Sequence, residues 1–433
     1  MNFFLRSFPF SGVCLQIQWR PLMSFVAFLR ENLRWLAGGF LLTCFSSFGQ
    51  TFFIALSAGE IRAAFSLSHG EFGTIYMAAT LASALVLTQL GKIVDVMSVA
   101  RVSLLIIPLL ALFSVSMAYA DSLAMLVFTL FGLRLFGQGM MTHNAMTAMG
   151  RWYAAQRGRA VSVATLGLQA GEAVLPFIYV SIVVGIGWRN TWLLSALFLV
   201  CVALPVIYAL MRVERQPRST DGAAMDGASR HWTRREVMRD TIFWLILLGI
   251  LAPGFIGTTI FFHQVYLVEL RGWSLPAFAG SFALMAAMTV CFALIGGVLI
   301  DRYSAIRLLP SFLIPLAVSC FLLSVVEAQW GIFAFMALLG VSYGLSSTLF
   351  GALWPEIYGT KHLGSIRAVV VALMVFSTAM GPGVTGFLID FGVDYPLQIF
   401  VMGLYCLAIS ILMALVGRRA ASRNAISAGA LAK

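Results

Sequence analysis

From about residue 35 to residue 417 the chain alternates between long apolar runs with few charges and short polar stretches. A helix crossing a ~30 Å hydrocarbon layer needs ~20 apolar residues, and the runs have about that length. A membrane β-barrel would instead show ~10-residue segments of alternating hydrophobicity. The pattern predicts twelve helical spans, at 35–58, 74–94, 102–120, 123–149, 160–184, 190–211, 241–268, 277–300, 308–326, 329–354, 366–389 and 395–417. In the seventh, "LAPGFIG" sets Pro253 and Gly254 inside the span, which predicts a kink there.

Composition agrees with this pattern and charge gives it a direction. The 433 residues are 61% apolar and 10% charged, far from the ~45–50% apolar share of soluble domains. The chain reads as an all-α integral membrane protein. All Lys and Arg except Arg62, Arg134, Arg189 and Arg271 fall in the terminal segments or in loops after even-numbered spans. Positive loops stay inside, so both termini are predicted to be cytoplasmic, at the plasma membrane or, in a bacterium, the inner membrane. The net charge of +11 is then a topology signal. Nucleic-acid binding would need a soluble basic face, and only 213–240 offers one.

Cys14, Cys44, Cys201, Cys291, Cys320 and Cys406 are scattered and make no metal-type spacing, so no metal or other cofactor is expected. Arg6 interrupts the apolar start and no small-residue cleavage site follows it, which argues against a signal peptide. Met23 is a second candidate start, with 1–22 as a dispensable extension.

One long polar segment, "RVERQPRSTDGAAMDGASRHWTRREVMRD" at 212–240, divides the spans six and six. It reads as a cytoplasmic linker. The expected organisation is an N-terminal segment (1–34), a first bundle (35–211), the linker (212–240), a second bundle (241–417) and a tail (418–433). The halves echo each other. "GKIVDVMSVAR" at 91–101 and "GVLIDRYSAIR" at 297–307 share the spacing of Gly91, Asp95, Ser98 and Arg101 with Gly297, Asp301, Ser304 and Arg307. "FF" at 52–53, Glu60 and Arg62 return as "FF" at 261–262, Glu269 and Arg271, and "RAV" at 159–161 returns at 367–369. The offsets stay between 206 and 209 residues. Repeats of one orientation imply bundles related by an axis along the membrane normal.

With these features the chain resembles the major facilitator superfamily of transporters, from about residue 35 to 417. The resemblance implies twelve helices in two six-helix pseudo-symmetric bundles, a substrate cavity between them at the midplane, and rocking of one half against the other. The family's loop between spans 2 and 3 runs Gly, three residues, Asp, Arg, any residue, Gly, then basic residues. Gly91 and Asp95 match, but Val96, Ser98, Val99 and Ala100 depart from it. The second copy keeps Gly297, Asp301 and Arg302, with Ser304 in place of Gly. Asp95 and Asp301 sit near helix C-termini, where a carboxylate loses roughly 0.3–1 kcal/mol to the dipole. A partner must compensate: Arg101, Arg302 with Arg307, or the N-terminus of a helix from the other half. Such a contact would gate the cytoplasmic side; the alternative is a set of interfacial anchoring charges.

"RLFGQG" at 134–139 resembles the family's fourth-helix Arg motif with Gln and Gly exchanged. Arg134 and Glu172 each lie roughly eleven or twelve residues from a span end, which at ~1.5 Å per residue puts both at the midplane. An isolated charge there costs at least ~2.5–3.5 kcal/mol, so pairing is expected. Glu172 is a candidate proton acceptor and Arg134 a candidate anion contact through its bidentate fork; the alternative is a permanent structural ion pair. Gly167, Gly171 and Pro176 loosely echo an antiporter-type motif in span 5, and "GPGVTG" at 381–386 resembles its counterpart in span 11; close helix packing also accounts for these glycines. Gln50, Tyr76, Gln138, His143, Asn144, His263, Gln264 and Tyr266 are further candidate cavity residues, although residues of this kind inside a span more often serve structure than bind a ligand. His263 stands out because an imidazole near the outer mouth titrates around neutral pH.

"RWYAAQRGRA" at 151–160 is similar to the loop after span 4 in the monocarboxylate and oxalate–formate branches, with "WPEIYGTKHLGSIRA" at 354–368 as its counterpart. The resemblance implies a small organic anion as substrate. No Gly-x-x-x-x-Gly-Lys-Ser/Thr segment is present to cradle ATP phosphates, so coupling falls to an ion gradient. The expected function is alternating-access secondary transport, as a proton-coupled uptake symporter acting as a monomer. Efflux antiport of amphipathic compounds is the rival. A membrane-embedded enzyme would need clustered catalytic groups, whereas His69, His143, His231, His263 and His362 are far apart in sequence. A non-transporting sensor on the same fold is the third reading.

Overall fold

The computed structural model describes residues 20–153, 156–215, 232–359 and 362–431. They form an integral membrane protein of twelve helical spans in two six-helix bundles. Nine apolar helices are long enough to cross a bilayer and a bent pair, Ala27–Gly49 with Thr51–Phe65, makes a tenth. The other two come from a long helical run and a short helix. Gly158–Met211 turns at Gly187, whose φ of 76° is open to glycine, and so supplies spans 5 and 6. Ile314–Val325 is the short ninth span. The rest are span 2 (His69–Leu90), span 3 (Val99–Tyr119), span 4 (Leu123–Trp152), span 7 (Thr241–Phe262), span 8 (Leu275–Tyr303), span 10 (Trp330–Tyr358), span 11 (Leu363–Asp390) and span 12 (Tyr395–Leu431).

Two boundaries differ most from the hydropathy pattern. The first helix begins at Arg20 rather than 35, and the last runs to Leu431 rather than 417. Pro253 lies inside a helix that runs from Thr241 to Phe262. The Tyr343 hydroxyl donates to the Pro253 carbonyl at 3.4 Å, and the helix is interrupted at His263, before Gln264–Arg271. Span 1 carries the larger break, which hydropathy does not reveal. Its helix gives way to tight turns at Ser46–Gly49 and Ala55–Ser57, with Gln50 extended (ψ 154°), and the axis bends by 43°. Irregular backbone at membrane depth is tolerated where it is buried in protein, and Ser46, Ser47 and Gly49 are buried.

Hydrogen bonds and ring contacts between the bundles gather at the end away from the termini, the far end. There Gln264 Nε2 donates to the Phe52 carbonyl at 2.9 Å. Phe72 stacks on Phe262 and Phe52 packs on Phe282. Spans 2 and 11 cross through glycines: a Cβ on Gly73 would stand 2.4 Å from the Pro382 carbonyl oxygen, and one on Gly386 2.4 Å from that of His69. Small residues let backbones meet this closely. The bundles are closed at the far end.

At the termini side each bundle is tied by an arginine over a tyrosine. Arg215, after span 6, lies 4.1 Å from the Tyr153 ring and donates to Asn32 Oδ1 and the Trp152 carbonyl. Arg423, in span 12, lies 5.7 Å from the Tyr358 ring and 4.7 Å from Trp232, and pairs with Asp240 at 2.6 Å. The two arginines are 208 residues apart and the two tyrosines 205, close to the offset of the internal repeat.

Candidate functional site

The interruption in span 1 is where the candidate chemistry converges. Arg134 opens a π-helical turn, Arg134–Met141, in span 4. Gly137 in that turn packs directly on Gly49: a Cβ on Gly49 would stand 2.7 Å from the Gly137 Cα and 2.1 Å from the Leu133 carbonyl oxygen. Only glycine at both positions allows that approach, so the exchanged order of "RLFGQG" places a glycine where span 1 breaks. Arg134 Nη1 then donates to the Gly49 carbonyl at 3.1 Å and to Thr51 Oγ1 at 3.3 Å. The guanidinium lies 5.3 Å from the Tyr76 ring, and the Tyr76 hydroxyl donates to Thr51 Oγ1 at 2.7 Å.

Arg134 is 3% exposed, and its Nε has no hydrogen-bond partner among the described residues. It makes no ion pair there either, so the expected Arg134–Glu172 pair is not formed. The broken helix accounts for this: its freed carbonyl takes the guanidinium, and the tyrosine face supplies the remaining stabilisation. Glu172 is half-buried on span 5 and, among the described residues, has no described hydrogen bond or ion pair. The preceding Gly171 packs on span 1, where a Cβ would stand 2.5 Å from the Cys44 carbonyl oxygen, as does Gly167 against the Phe40 carbonyl. Glu172 lies within electrostatic reach of Tyr343 on span 10 of the second bundle. Tyr343 was not singled out by sequence; its hydroxyl fits over Gly257, which has no side chain to displace it.

The other candidates divide. Gln50 and Gln138 are half-buried beside the Arg134 turn. His143 is exposed and stands against Gly91, whose Cβ would lie 3.2 Å from its Nε2. Asn144 is buried and turned to span 3, donating to the Val99 carbonyl and to Ser103 Oγ at 3.2 and 3.1 Å. His263 and Gln264 are buried in the far-end seam, with His263 Nε2 3.2 Å from the Pro382 carbonyl oxygen and the Tyr266 ring tilted against His69 at 4.3 Å.

The gating motif is described in part. The side chains of Asp95 and Asp301 fall outside the described part of the molecule. Arg101, Arg302 and Arg307 are exposed, with no ion pair among the described residues; Arg302 lies 5.3 Å from the Tyr303 ring. The backbone N–H after each serine meets a glutamate: Val99 donates to Glu214 at 3.3 Å and Ala305 to Glu356 at 2.8 Å. The serines differ. Ser98 has φ −65° and caps span 3 by accepting from Arg101 N–H, whereas Ser304, where the family has glycine, has φ 73° and ψ 154°.

Twelve spans in two bundles, one broken span and a buried cation at the break define a membrane transporter. The sequence profile of the Major Facilitator Superfamily matches residues 39–382, and the chain belongs to that superfamily. It is a transporter and not an enzyme. Two solved structures share the fold: a bacterial homolog of the human lysosomal transporter Spinster, inward-facing and unoccupied (TM-score 0.63, 17% identity, covering 91% of this chain and 94% of that one), and the same homolog inward-facing and occupied (0.62, 18%, 91% and 94%). No curated protein matches the chain by sequence.

Proposed function

We propose that the protein is a proton-coupled uptake symporter for a small organic anion, with both termini cytoplasmic in the plasma membrane, or in the inner membrane if bacterial. The working halves are 35–211 and 241–417, joined by the 212–240 linker. Alternating access moves them about a site between Glu172, Tyr343 and the break in span 1. The observation that carries this reading is Glu172: a half-buried carboxyl on span 5, within electrostatic reach of Tyr343 in the other bundle and with no ion pair among the described residues. Neutralising such a group by a proton is the inexpensive way to carry it through a closed, dehydrated state. Arg134 supplies the positive field for an anion, and its Nε is an unspent donor. With the termini cytoplasmic, closure at the far end makes this the inward-facing state.

The test is uptake into vesicles containing the purified protein, screened across small carboxylates with and without an imposed proton gradient. Accumulation that follows an inwardly directed proton gradient supports symport. Export driven by the same gradient would replace it with antiport. The glycines of span 5 that permit the antiport reading are accounted for here by packing against span 1.

A further inference from the structure

Asp390 ends span 11 at the far end, at the negative pole of its own helix. Its carboxylate reaches the N-terminus of span 2 in the other bundle. Ser68 Oγ donates to Oδ2 at 2.6 Å, Gly70 N–H to Oδ2 at 2.8 Å and His69 N–H to Oδ1 at 3.1 Å. The first amides of a helix have no partner within it, and their dipole favours an anion. The Ser68 hydroxyl is used twice, since it also accepts from Glu71 N–H at 3.1 Å in the capping box of its own helix. Glycine makes the approach: a Cβ on Gly70 would stand 2.6 Å from Asp390 Oδ2.

We propose that Asp390 is a latch, holding the far ends of spans 2 and 11 together in this state and releasing when the far end opens. The contact is suited to reversal. The Ser68 and His69 bonds lie at the exposed rim, where water can replace each donor as the bundles part. The pseudo-equivalent crossing, between spans 5 and 8, meets through the Phe177 ring beside Gly280. The latch therefore acts on one side of the pseudo-symmetry axis. Its role rests on the alternating-access reading proposed above.

Amide hydrogen exchange of the full chain in lipid nanodiscs tests it without substrate. In Asp390→Ala, exchange is expected to rise on the order of tenfold, the effect of losing one or two charge-assisted hydrogen bonds. The rise should appear at 69–76 and also in the seam segments 261–267 and 379–387. A rise confined to 68–71 would report only the missing acceptor and would overturn the latch, as would unchanged exchange. Asp390→Asn, which keeps an acceptor oxygen but not the charge, should fall between, and serves alone if the alanine variant does not fold. Vesicle uptake separates the two ideas: uptake by the parent with a rise confined to 68–71 sinks the latch alone. Seam-wide opening in a chain that moves no carboxylate supports the latch and sinks the uptake reading.

Discussion

Arg134 Nη1 donates to the Gly49 carbonyl across 3.1 Å, joining span 4 to the backbone at the break in span 1. Hydrogen bonds to a charged group are worth about 1.5–3 kcal/mol, and the burial here leaves no water to take over. Arg134→Met should destabilise the protein by about 2–3 kcal/mol on that principle, read as lower thermal stability in detergent. Arg134→Lys keeps the charge but loses the fork. If the guanidinium holds the substrate anion, the lysine variant should fold, raise KM on the order of tenfold and lower kcat less.

Glu172→Gln fixes the proposed proton carrier in a neutral form. In the parent, uptake should rise as the pH outside falls, because the carboxyl must be loaded there before the halves rock. The variant should lose that dependence and stop concentrating substrate, while exchange of labelled for unlabelled anion continues. A parent-like pH profile in the variant would return Glu172 to a structural role.

The spans were legible because lipid forces each crossing backbone to satisfy itself, so every apolar run had to be a helix. What lay hidden depended on partners distant in sequence. Ser46, Ser47 and Gly49 look like ordinary small residues until the carbonyl of Gly49 meets a guanidinium 85 positions later. Pro253 is carried inside the Thr241–Phe262 helix, where its carbonyl accepts from Tyr343 of span 10, a partner 90 positions away. A carboxylate at a helix C-terminus was expected to find a helix N-terminus in the other half. That expectation was placed on Asp95 and Asp301, whose side chains lie outside the described residues; a contact of this kind is made by Asp390, whose partners lie 320 to 322 residues away. Nothing in "FLIDFGVD" distinguishes it from an anchoring charge.

The two motif copies should respond oppositely to glycine. Ser304 holds φ 73° and ψ 154°, a region that only glycine enters freely and that costs another residue about 1–3 kcal/mol. Ser304→Gly should therefore stabilise the protein by about 1 kcal/mol, read as a higher melting temperature. Ser98 has ordinary dihedrals and caps span 3, so Ser98→Gly should destabilise the protein by roughly 0.3 kcal/mol. Equal effects at the two sites would mean that the copies share one backbone geometry after all.

The arginine clamps make each bundle's termini side a unit, and they differ in what they neutralise. Arg423 is the ion-pair partner of Asp240, which also accepts from the Tyr358 hydroxyl at 2.9 Å and caps span 7 through Ile242 N–H at 3.1 Å. Removing the cation leaves a mostly buried carboxylate held by neutral donors alone. The loss of a charge-assisted bond and of two aromatic contacts predicts about 2–3 kcal/mol for Arg423→Ala. Arg215 faces a tyrosine, an amide and a carbonyl, with no carboxylate described beside it. Arg215→Ala should cost less, about 1–2 kcal/mol. The order separates charge from packing. Arg423→Lys restores the charge but not the planar stacking, so it should recover more than half of the loss, whereas Arg215→Lys should recover little. Thermal unfolding of the four variants gives the comparison, and a lysine at 423 no better than alanine would mean that the ring faces, and not Asp240, hold this end of the bundle.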